Sequence, residues 1–138
     1  MIKTLLTLII CLPTFTYGQV YKMRIYRTVL SEYENNDWKV KETNTVNFIG
    51  VVDFNNDKIK TYGEEKTDYD LVKLKSKDLK ENGDMVSVFD AVDKNGKDCS
   101  ITFYLFSKER QKKEDAPVAS FGVRYGELLL VFYMKKDD

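Results

Sequence analysis

Val86-Ser87-Val88-Phe89-Asp90-Ala91-Val92-Asp93-Lys94-Asn95-Gly96-Lys97-Asp98-Cys99-Ser100-Ile101-Thr102-Phe103-Tyr104-Leu105 is the stretch that decides the fold. Two runs rich in β-branched and aromatic residues flank an Asn-Gly pair, the strongest short-range hairpin signal. Both residues tolerate positive φ, and a type I′ turn matches the twist of the strands it joins. A two-residue turn there sets Val92 opposite Cys99, Asp90 opposite Ile101, Val88 opposite Phe103 and Val86 opposite Leu105 on a core face. Ala91–Ser100, Phe89–Thr102 and Ser87–Tyr104 then share the other face. In that register Cys99 is a buried small hydrophobe. Asp90 is a buried carboxylate that needs a partner such as Arg24 or Arg124, or a raised pKa.

The same alternation runs outward in both directions, with strands expected near Val20–Leu30, Trp38–Thr43, Val46–Phe54, Lys58–Tyr62, Tyr69–Lys75, Met85–Asp93, Asp98–Phe106, Val118–Tyr125 and Leu128–Met134. Glu34-Asn35-Asn36-Asp37, Asn55-Asn56-Asp57, Glu81-Asn82-Gly83-Asp84 and Gly126-Glu127 supply the turns, since Asn, Asp and Gly accept turn geometry. Ser76–Asp84 and Ser107–Pro117 read as charged loops. The expected fold is a single all-β domain over 19–138: an antiparallel meander of eight or nine strands, closed or nearly closed into a small barrel, with a β-sandwich as the alternative.

Two stretches are apolar on both faces, Leu128-Leu129-Leu130-Val131-Phe132-Tyr133-Met134 and Phe48-Ile49-Gly50-Val51-Val52. A strand of this kind is covered twice, by the core on one side and by a loop, sheet or partner on the other.

Met1–Gly18 has the architecture of a cleavable signal peptide. Lys3 is its one charge, Leu5–Leu12 is apolar apart from Thr7, and Thr16 and Gly18 are small residues at −3 and −1 of a cut before Gln19. A spanning helix wants about 20 mostly apolar residues. Lipidation at Cys11 lacks the small residues expected just before it. The expected location is therefore periplasmic or secreted. Cleavage leaves 120 of 138 residues with 21 basic and 22 acidic side chains, a net charge of −1 that argues against nucleic acid or an anionic membrane as partner. Cys11 departs with the signal, so Cys99 has no intramolecular disulfide partner. The chain also contains no histidine, which removes the commonest general base and metal ligand.

Asp53, Asn55, Asp57 and Glu64 stand at positions 1, 3, 5 and 12 of a calcium-loop spacing. Position 6 is Lys58 where such a loop needs glycine, and a plain Asn-Asn turn explains the same residues. Asp93, Asn95 and Asp98 form a second oxygen-rich corner, neutralised by Lys94 and Lys97. No two of the 22 acidic residues are singled out as a glycosidase pair, and no catalytic, cofactor-binding or metal-ligating set is expected. The 18 aromatic residues, nine of them tyrosine, fit cross-strand packing of a sheet or an apolar pocket.

Asn55–Tyr62, Tyr69-Asp70-Leu71-Val72, Asp93–Cys99 and the closing Phe132-Tyr133-Met134, together with the Tyr17-Gly18-Gln19 signal exit, resemble a loose group of small uncharacterised exported all-β proteins of Bacteroidetes-type bacteria. The resemblance implies a bacterial envelope or secreted setting and supplies no catalytic residues. Lipocalin motifs are not matched: Trp38 is preceded two places earlier by Asn36 where that family has glycine. The expectation is a non-catalytic exported binding or accessory protein, with a small apolar ligand or an envelope protein as partner. A structural envelope component comes second, and a carboxylate-dependent hydrolase last. A hollow interior would favour the small ligand, and a packed one would favour binding at the surface.

Overall fold

The structure, a computed structural model, describes residues 20–113 and 116–136. The expected signal peptide, Met1–Gly18, and its expected cleavage junction before Gln19 lie outside them. Eight antiparallel strands, β1 (Val20–Glu34), β2 (Asp37–Asp53), β3 (Lys58–Tyr62), β4 (Lys66–Leu79), β5 (Met85–Asp93), β6 (Asp98–Leu105), β7 (Ala119–Tyr125) and β8 (Leu128–Lys136), pair in chain order, and β8 returns to β1. The barrel is closed, so the sandwich alternative falls. Eight strands rather than nine arise because Asn44 and Thr45 do not break the chain. They stay in the ladder opposite Thr28 and Arg27, which fuses two expected strands into β2. The expected loop at Ser76–Asp84 is strand as far as Leu79, and Ser107–Pro117 contains a single helical turn, α1 (Lys108–Gln111).

An eight-stranded barrel has an interior just wide enough for side chains to fill, and here they fill it. Ile25, Val52, Ile59, Ile101, Phe121, Val123 and Met134 have no measurable exposure, and Phe121 stacks on Phe132 at 4.5 Å between ring centroids. Gly50 is required by this packing, because a Cβ there would come within 2.7 Å of Ile25 Cδ1. Tyr21, Phe54, Phe89 and Phe103 close one end of the barrel, with ring centroids 5.4–6.1 Å apart.

The central hairpin corrects the expected register. Asp93 N–H donates to Lys97 O (2.9 Å), Gly96 N–H donates to Asp93 O (3.0 Å), and Gly96 has φ of 80° while Asn95 does not enter the left-handed region. This is a three-residue loop with a left-handed glycine, not a two-residue type I′ turn. The pairing becomes Ala91–Cys99, Phe89–Ile101 and Ser87–Phe103, one residue out of step, which turns the side chains of β5 to the opposite face while Cys99, Ile101 and Phe103 of β6 keep the inward one. Two effects favour it. Asp93 Oδ1 accepts from Asn95 N–H and Lys97 N–H, both at 2.9 Å, which fixes the loop. Asp90 is also spared burial: it points outward, 53% exposed, with its carboxylate 3.8 Å from Lys75 Nζ rather than beside an arginine. Cys99 stays on the inward face but is only half-buried at its edge. The type I′ turn occurs instead at Asn35 and Asn36, with φ of 51° and 65° between the paired Glu34 and Asp37.

The connection from β6 to β7, in its described residues 106–113 and 116–118, lies at the end of the barrel that carries the aromatic plug. Asp84 anchors it with a side chain only 4% exposed, accepting from Ser107 N–H (2.8 Å), from Asn82 Nδ2 (3.2 Å) and from Arg110 Nη1. Ser107 Oγ accepts from Arg110 N–H and caps α1. Burial raises the Asp84 carboxyl, yet these donors outweigh it and hold the group below the usual carboxylate range.

Candidate functional site

On a closed barrel the outward residues of a strand are flanked by those of its two neighbours, so their sizes decide whether the wall is smooth or furrowed. Between Ala119 and Tyr125 the outward positions of β7 are Ser120, Gly122 and Arg124, two of them small. Its neighbours are large: Leu129, Val131 and Tyr133 on β8, and Thr102 and Tyr104 on β6 with Phe106 beyond its end. A trench of about 590 Å³ results, with Ser120 and Gly122 as its floor and Pro117, Arg110 and Arg27 at its rim. The volume falls in the range of small-ligand sites, roughly 300–1,000 Å³. Among the described residues no Asp or Glu lines it.

The two rim arginines differ. Arg110 lies over the Phe106 ring (4.5 Å from its centroid) and is ion-paired with Asp84. Arg27 lies over the Tyr133 ring at the same distance, is exposed, and has no carboxylate partner among the described residues. Its lateral neighbours in the sheet are Thr45 and Tyr133, neither of them acidic. A bulge in β1 between Ile25 and Arg27 turns this side chain outward. Arg124, the next outward residue of β7, lies over Trp38 (5.0 Å) and donates through Nε to Gly126 O (2.8 Å).

A second cleft, of about 770 Å³, opens at the mouth of the barrel opposite the aromatic plug, where short β3 pairs only with Ile49–Asp53 of β2 and leaves that edge of its earlier residues unpaired. Its lining mixes inward Val46, Phe48, Leu130 and Phe132 with Asn44, Thr61, Thr67, Glu64 and Glu65. Beneath it Tyr125 Oη donates to Asp93 Oδ2 (2.8 Å), beside Tyr69 and Cys99. The Lys97 N–H and the Tyr125 hydroxyl hold Asp93 below the usual carboxylate range. Burial, then the bond to Asp93, pushes Tyr125 far up. Burial also raises the Cys99 thiol, the opposite of what a reactive cysteine needs.

The oxygen-rich sequences are occupied by their own turns. Asp53 accepts from Asn55 N–H (2.9 Å), Asn56 N–H (3.1 Å) and Asn56 Nδ2 (2.9 Å), and Lys58 pairs with Asp70 at 2.9 Å. Asp93 does the same at its loop, and Asp98 faces Val92 rather than Asp93. Among the described residues no three acidic or cysteine side chains gather as a metal set. The doubly apolar β8 was the sequence signal for the trench. The small residues of β7, the bulge that presents Arg27, and the wall of Tyr104 and Phe106 carried no signal until neighbouring strands were known. Comparison with protein families, with curated proteins and with solved structures finds no match to this chain.

Proposed function

We propose that the protein is an exported, non-catalytic binding protein that works through the outer trench over β6, β7 and β8 and not through its barrel interior. The observation that supports this most is the contrast between a barrel filled by fully buried side chains and an apolar furrow left open on its outside. Half-buried Leu129, Val131 and Tyr133 lie on the face of β8 away from the core and form one wall of the trench. The export reading rests on Met1–Gly18.

Nile red, an uncharged apolar dye, tests the trench. Its emission is expected to rise on binding the native protein and to be lost in Gly122→Leu, whose Cβ would meet Leu129 Cδ1 at 3.2 Å and Val131 Cγ2 at 3.5 Å and whose side chain fills the floor. Val46→Lys at the mouth leaves it unchanged. The reverse pattern would place binding at the mouth and overturn the proposal. For export, the mass of the processed protein should begin at Gln19; an intact Met1 or a lipid on Cys11 would contradict cleavage.

A further inference from the structure

Resting on that reading, we infer that the trench takes a long-chain carboxylate, a fatty-acid-like amphiphile whose head group lies at Arg27 and whose chain runs along Gly122 and Ser120 between Val131, Tyr133 and Tyr104. Three observations favour this class. First, Arg27 is the rim cation without a carboxylate, and no acidic side chain lines the trench, among the described residues, so charge complementarity calls for an anion. A guanidinium lying over a ring keeps its full charge and its donors for such a head group.

Second, Leu129, Val131, Phe106 and Pro117, with the rings of Tyr133 and Tyr104, make most of the walls, beside Thr102, and match a saturated chain better than a hydroxylated sugar. Third, β7 is hydrogen-bonded on both sides, to β6 and to β8, so the trench floor offers no free strand edge. A peptide laid there would bury main-chain N–H and C=O groups against side chains, with few partners to satisfy them. An acyl chain carries no such groups. The ligand that fits is apolar along its length and anionic at one end.

Calorimetry on the purified full-length exported protein tests this with dodecanoate below its micellar concentration, dodecyltrimethylammonium as the cationic control of equal chain length, and an acidic hexapeptide. Dodecanoate is expected to bind at least tenfold more tightly than the cation. Arg27→Gln, an exposed substitution, should erase that preference, and Arg27→Lys should restore most of it. Equal affinity for both chains, a preference that survives Arg27→Gln, or tighter binding of the hexapeptide would each overturn the inference. If Nile red still reports the trench in that event, the ligand class is wrong and the binding face stands. If Nile red also ignores Gly122→Leu, the binding face is wrong.

Discussion

The inward and outward faces of β7 and β8 are made by alternate residues of the same two strands, yet they obey different constraints. Inward, Phe121, Val123, Phe132 and Met134 are 0–4% exposed and interlock with the rest of the core. Outward, Ser120 and Gly122 lie low between Leu129, Val131 and Tyr133, and volume is left unfilled. A protein interior packs to crystal-like density. The lesson of the difference is that stability accounts fully for one face and leaves the apolar character of the other unexplained. The proposed binding at the trench would account for it.

Substitutions should separate the two faces. Phe121→Ala removes a fully buried ring and its stack on Phe132, and should cost about 3–5 kcal/mol in chemical denaturation. A loss below about 1 kcal/mol would mean the interior is not packed as described. Next in size, Asp84→Ala frees the β6–β7 connection beside the trench and should cost about 2–3 kcal/mol, because a buried charged acceptor is lost while Arg110 can turn to solvent.

The same carboxylate predicts a pH dependence. Its folded pKa is depressed, so its contribution is complete above the unfolded value of about 3.9 and is lost as pH falls through the folded value. Stability should therefore drop as pH falls below the unfolded value, with Asp53 and Asp93 shifted in the same direction. In Asp84→Asn the drop should be shallower; an unchanged acid slope would show that the carboxylate is not held as described.

Gly96→Ala should cost about 1 kcal/mol, since its left-handed φ penalises any Cβ although the space around it is open. Val131→Lys on the outward face should change stability by no more than about 1 kcal/mol while abolishing Nile red binding. A large destabilisation there would make the outer face part of the fold and erase the distinction.

Much of the inward face was legible in the sequence because period-two alternation and turn residues mark strands locally. The register was not. Asn95-Gly96 is compatible with two- and three-residue loops, and the choice falls to Asp93, whose side chain holds the longer loop, and to Asp90, which the longer loop keeps in water. Asn35-Asn36, the less conspicuous pair, makes the tighter turn. The outward face was legible only on β8, where Leu129 and Val131 interrupt the alternation. That Ser120 and Gly122 lie between large neighbours follows from β7 being paired with both β6 and β8, a non-local fact. The position of Arg27 follows from a bulge that no local pattern announces.

The most direct test is paramagnetic attenuation of backbone amide signals by stearate carrying a nitroxide on its chain. Binding in the outer trench predicts loss of signal at Gly122, Val131 and Tyr104, with Ile59, on the far wall of the barrel, and Phe48 and Thr61 at its mouth unaffected. Attenuation centred on Phe48, Thr61 or Ile59, with Gly122 and Val131 untouched, would place the ligand in the barrel mouth or interior and contradict the outward face as the binding surface.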